Sequence, residues 1–231
     1  VIIRPDSLDR RSRYALMISA LIPRPIAWIS TISANGAINL APFSYFGGIA
    51  SSPPLVGVSI GRRRGNKKDS LRNLEETGET VIHIPNRELA EKMVLSSGDY
   101  PPDIDEFDLV GLTAVPSVLV RPPRIAEAPV ALECTVEKIL ELGDDPDGFV
   151  ICRIVLFHIR DDILEDGRVV SERLQSVGRL GGAEYCIVDR AVAIPRPDTE
   201  AELAKWRARA NREGALPARE GPSTPGNEAD A

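Results

Sequence analysis

Apolar and polar positions along this chain change period repeatedly, and prolines and glycines mark most of the changes. Residues 7–22 allow a first helix, with Ser7 or Asp9 as its cap and Pro23 as its stop. Strand-like segments follow: residues 25–33 and 37–41 flank Asn35-Gly36, a pair that favours a tight turn, so they are expected to form a hairpin. In residues 55–61 the alternation puts Val56, Val58 and Ile60 on one face and Gly57, Ser59 and Gly61 on the other. One face belongs to a core; the other is nearly bare backbone, to which a ligand or a second chain can come close.

Residues 68–77 read as a short helix with Asp69 or Ser70 as N-cap and Gly78 as terminator. A strand over 79–84 and a helix over 86–97 come next, and residues 98–108, with five acids and two prolines, read as an exposed loop. The alternation in 130–136 opposes Val130, Leu132, Cys134 and Val136 to Glu133 and Thr135, predicting a strand with one wet face. Residues 149–159 are apolar on both faces, which places them mid-structure or at a subunit interface. After Arg190, residues 199–212 can form a helix, and 213–231 are too poor in apolar residues to pack. The domain is thus expected over 1–190, with an extension over 191–231. Strands in sequence without regular intervening helices favour a mainly β, antiparallel barrel with flanking helices over a doubly wound sheet.

Composition narrows the function. Lysine and arginine total 28 against 34 for aspartate and glutamate, a net charge of -6, which argues against general nucleic-acid or anionic-membrane binding. Two histidines and three scattered cysteines supply no ligand-spaced cluster, so no metal site is expected. The same cysteines point to reduced thiols and a cytoplasmic protein. No apolar run approaches the roughly 20 residues of a membrane span, and Val1-Ile2-Ile3-Arg4-Pro5 does not have the basic-then-apolar layout of a secretion signal.

Inside this acidic chain, Arg62-Arg63-Arg64-Gly65-Asn66-Lys67-Lys68 concentrates five cations in seven residues, just before a helix N-terminus. Helix amides and a nearby lysine make an anion site. The spacing is neither that of a P-loop nor that of a dinucleotide fold, so a single phosphate is the natural guest. A second constellation, Asn39 to Phe46, offers an amide and a hydroxyl that need partners of the kind a flat heterocycle with carbonyls and ring nitrogens supplies. No G-x-S-x-G is present. His83 and His158 sit in apolar strands and read as structural, His83 being the better placed for a role because it follows the helix of the anion site.

These residues resemble the flavin reductase-like, FMN-binding split-barrel family. The resemblance rests on Pro23-Arg24-Pro25-Ile26-Ala27-Trp28-Ile29-Ser30-Thr31, Asn39-Leu40-Ala41-Pro42-Phe43-Ser44, Lys67-Lys68-Asp69-Ser70-Leu71, Asp105-Glu106-Phe107 with Gly111-Leu112, Leu132-Glu133-Cys134, and Arg179-Leu180-Gly181-Gly182, in the family's order. It implies a homodimer of six-stranded, Greek-key split barrels with FMN at or near the subunit interface. Ser30 and Thr31 would contact the isoalloxazine edge; Asn39, Ala41 and Ser44 would line the ring and ribityl chain; Ser59, Lys68 and Ser70 would receive the phosphate. Leu40, Ile60, Lys67 and Asp69 complete the implied cofactor-binding set, with His83 in an open role and Tyr185 reaching the flavin from the other subunit.

The implied activity is reduction of FMN by NADH or NADPH, supplying reduced flavin to an oxygenase or another acceptor, with no catalytic side chain required for hydride transfer. Two alternatives stay open. One is a flavoredoxin-like electron carrier whose tightly bound FMN is reduced by a protein partner; the other is a flavin-binding module without turnover.

Overall fold

The computed structural model describes residues 1–101, 104–144, 147–194, 196–197 and 199–213. They fall into two units, Val1–Asp189 and Arg190–Ala231. In the second, helix Glu200–Glu213 begins at Thr199, whose Oγ1 accepts the Glu202 N–H at 3.2 Å. The unpacked tail expected over 213–231 lies outside the described residues from 214 onward.

The first unit opens with helix α1 (Arg10–Ala20), which Asp9 starts by accepting the Ser12 N–H at 2.7 Å. Seven strands then make one antiparallel sheet: β1 (Ala27–Ile32), β2 (Ile38–Phe43), β3 (Phe46–Ser51), β4 (Pro54–Ile60), β5 (Glu79–Ile84), β6 (Val130–Leu142) and β7 (Asp147–Ile159). Their spatial order is β2-β1-β5-β6-β7-β4-β3. The expected hairpin is β1–β2, in register from Ala27 opposite Phe43 to Ile32 opposite Ile38, with Gly36 at φ +87° in its turn. Strand β7 lies between β6 and β4, central in the sheet; Val150 and Cys152 on one face are buried, whereas Phe157 on the other is exposed.

The ladder does not close. Strands β2 and β3 are its two ends, joined in sequence through Ser44-Tyr45, and that link is tied to β4 by the Ser59 N–H donating to Tyr45 O at 2.8 Å. The antiparallel barrel expected from the strand order is therefore not closed among the described residues.

Apolar side chains divide between the two faces of the sheet. Ile29, Val58, Ile60, Leu71, Ile82 and Val150 pack in one core. Trp28, Leu40, Met93, Phe107, Ile125 and Val177 pack in a second, on the face that short helices and a small sheet cover. That small sheet pairs Arg24–Pro25 with Val177–Arg179 and the latter with Tyr185–Ile187. The covering corrects the wet face expected around Glu133, which is fully buried: its carboxylate accepts the N–H groups of Val118 at 2.8 Å and Leu119 at 2.6 Å. Alternation identified the face but not the loop that crosses it.

The bare face of β4 also changes meaning. A Cβ on Gly57 would stand 2.6 Å from the Phe149 ring and 2.8 Å from Ile49, so the close approach there comes from this chain's own side chains. Cys134 and Cys152 are buried as small hydrophobes, with burial pushing the Cys152 thiol up to about 12. No helix among the described residues is long and apolar enough to cross a membrane.

Candidate functional site

Beyond β4 the chain makes a tight turn. Arg63 and Asn66 exchange two backbone hydrogen bonds of 2.8 Å, and Arg64 and Gly65 both take left-handed backbone, at φ +48° and +81°. The turn delivers Lys68 to the start of helix α2 (Asp69–Thr77), one residue before the expected caps. Lys68 is itself the N-cap, and no side chain caps the helix there. Gly78 ends α2 in left-handed backbone, as expected.

The Lys68 ammonium lies 5.3 Å from the centroid of the Phe43 ring. Burial lowers its pKa, with Arg63 adding to the effect and Asp147 opposing it. Among the described residues its ammonium has no hydrogen bond or ion pair, while three of the neighbouring cations are engaged. Arg62 pairs with Glu141 at 3.0 Å, Arg63 pairs with Asp99, and Lys67 pairs with Glu75 at 2.6 Å. Lys67, expected to bind cofactor, is thus turned to an ion pair instead of the groove.

Two concavities meet at Lys68. A groove of about 670 Å³ runs between Arg10, Arg11 and Tyr14 of α1 and the wall formed by Ser44, Tyr45 and Ser59. A smaller cleft of about 120 Å³ opens between β2 and the start of α2, lined by Asn39, Ala41, Lys68, Asp69 and Ser70. Asn39 Nδ2 donates to Ser70 Oγ at 2.9 Å, tying strand to helix across the cleft. Of the fourteen residues expected to bind cofactor, Asn39, Ala41, Ser44, Ser59, Lys68, Asp69 and Ser70 are brought together here.

The others are not. Ser30 Oγ donates to Pro123 O at 2.6 Å and Thr31 Oγ1 accepts from Asn73 Nδ2 at 3.0 Å; both residues are fully buried. Leu40 and Ile60 bury their side chains in the two cores, so backbone is all they offer a ligand. The His83 ring is closed off as well: Nδ1 donates to Trp28 O at 2.9 Å, Nε2 accepts the Ile125 N–H at 3.0 Å, and burial lowers its pKa to about 4. Both ring nitrogens are thus taken up inside the core. Tyr185, expected to reach a flavin held by the other subunit, accepts from the Arg179 guanidinium of its own chain and stacks beneath it at 4.4 Å.

Two residues in the matching motifs carry more of the site than their type suggested. Arg24 is buried and donates to Ile18 O at 2.6 Å, Leu21 O at 2.7 Å and Leu180 O at 2.9 Å, so it fixes the end of α1 beside Ser44. Glu106 was expected in an exposed acidic loop. It lies instead in helix α3 of the cleft wall (Glu106–Val110), which Asp105 caps, and it accepts the Leu40 N–H at 3.0 Å. The buried Phe107 beside it was the signal available in the sequence.

Residues 19–173 match the flavin reductase like domain. The chain belongs to that family. A protein of Halalkalibacterium halodurans is 40% identical over 200 residues, covering 84% of this chain and 96% of the relative. Among solved structures, nitrilotriacetate monooxygenase component B from Bacillus cereus is 33% identical with a TM-score of 0.81, over 84% of this chain and 98% of that one. The 2-nitrobenzoate 2-nitroreductase NbaA of Pseudomonas fluorescens is 31% identical with a TM-score of 0.79, over 86% and 97%. The fold shared with these neighbours is the split-barrel type, and the family supports a flavoprotein oxidoreductase.

Proposed function

We propose that this member of the family binds FMN and is an NAD(P)H-dependent flavin reductase that passes reduced flavin to an oxygenase. The observation that carries the reading is Lys68: a half-buried ammonium with no partner among the described residues, set at the uncapped start of α2. A phosphate supplies the missing charge and accepts from the helix amides and the Ser70 hydroxyl. The groove beside it, at about 670 Å³, is in the usual range for a cofactor site.

When bound, the flavin supplies the hydride-accepting ring, so the chain's residues need only bind, orient and tune. Lys68 and Ser70 anchor one end of the ligand; Asn39 and Ala41 border its polyol chain; Ser44 and Ser59 offer hydroxyls to the heterocycle. Arg10 and Arg11, on the facing wall, suit the anionic reductant. The likeness to nitrilotriacetate monooxygenase component B supports an oxygenase as recipient.

A homodimer fits the exposed apolar surface. Helix α1 buries none of its residues, and Tyr14, Met17, Leu21 and, on edge strand β3, Ile49 are exposed. Apolar patches of this kind mark interfaces. Steady-state oxidation of NADH and NADPH, with and without added FMN, tests the reading; no oxidation with either nicotinamide refutes it. The likeness to a nitroreductase favours a second reading, direct reduction of an organic acceptor, which predicts oxidation that depends on a nitroaromatic.

A further inference from the structure

We propose that Glu106 makes the cleft beside Lys68 selective for a flavin carrying one phosphate over one carrying two, an inference that rests on the flavin reading above. The cleft is small, about 120 Å³, and its lining carries Lys68 and Arg63, the latter already paired with Asp99, against Asp69 and Glu106. At one end Lys68 is shared with the large groove. At the other, Glu106 and Asp69 are shared with a third pocket of about 420 Å³, whose wall also carries Glu76 and, as its cation, Arg72. Arg72 is already paired with Asp69. A terminal phosphate at Lys68 therefore meets an ammonium and helix amides. A second phosphate continuing along the cleft would meet carboxylates.

Glu106 is held in place to do this. Asp105 starts its helix by accepting the Phe107 N–H at 2.8 Å, Phe107 is buried in the core, and the Glu106 Oε2 accepts the Leu40 N–H at 3.0 Å. The carboxyl cannot swing out of the cleft without giving up that backbone donor on an edge strand. Like charges brought together in a confined site are strongly discriminating.

The test is equilibrium binding of FMN, FAD and riboflavin to the full chain and to Glu106→Gln, followed by flavin fluorescence. Glutamine keeps an acceptor for the Leu40 N–H and removes only the charge, and an unchanged unfolding midpoint verifies that the fold is kept. The wild type should bind FMN at least about ten-fold more tightly than FAD, and Glu106→Gln should narrow that ratio by about three-fold or more. Equal affinity of the wild type for FMN and FAD overturns the proposal, as does a ratio that Glu106→Gln leaves unaltered. Failure of the wild type to bind any of the three overturns the flavin reading itself, a result distinct from binding without discrimination.

Discussion

Lys68 and Phe43 meet at 5.3 Å, ammonium to ring centroid, where the end of β2 faces the start of α2. The aromatic face supports the cation but satisfies none of its three N–H donors. Burial meanwhile disfavours its charge. Among the described residues no ion pair neutralises it, which is what the proposed phosphate would do.

Replacing Lys68 with alanine should therefore weaken FMN binding far more than riboflavin binding. Loss of a charge-assisted hydrogen bond corresponds to about 1.5–3 kcal/mol, or roughly 10- to 100-fold in Kd. Titrating both flavins against the variant checks this; equal losses for the two would remove the phosphate from Lys68.

Gly148, on β7, shows how the core positions the same helix. A Cβ there would stand 2.7 Å from both methyl carbons of Leu71, a buried residue of α2. Gly148→Ala should push α2 outward, lowering stability by about 1–3 kcal/mol. FMN affinity should fall with it, because Lys68 and Ser70 travel with the helix. Urea unfolding and FMN titration on one preparation measure both effects.

His83 gives the fold a pH dependence. Its pKa is depressed from 6.5 to about 4, so the unfolded chain takes up a proton in a range where the folded ring stays neutral. Its contribution to stability is complete above about pH 6.5, is lost progressively as pH falls toward about 4, and amounts to something on the order of 3 kcal/mol. Unfolding free energies across that range should show the slope, and His83→Gln, which keeps a donor and an acceptor without a titrating ring, should flatten it.

The strands, the hairpin at Asn35-Gly36 and helix α2 were legible in the sequence because each is encoded locally. Alternation gave β4 through Val56, Val58 and Ile60, and Gly78 marked the end of α2. What the sequence concealed depends on distant partners. Lys67 and Lys68 are adjacent and chemically alike, yet Glu75 captures one and leaves the other for the groove. Glu106 read as solvated because four other acids surround it, whereas the burial of Phe107 carries it into the wall of the cleft. Ser30 and Thr31 stood in a matching motif and His83 had an open role, but their polar atoms are taken up by Pro123, Asn73, Trp28 and Ile125. Motif membership located the region, and hydrogen-bond partners separated groove from scaffold.

On the proposed function, this chain holds FMN and reduces it with a nicotinamide. The most direct measurement is the visible spectrum of the purified protein with FMN under anaerobic conditions, before and after addition of NADH and then NADPH. The oxidised flavin absorption should bleach with at least one of the two. A spectrum that stays oxidised with both, while a protein electron donor reduces it, would contradict the reductase and leave an electron carrier in its place.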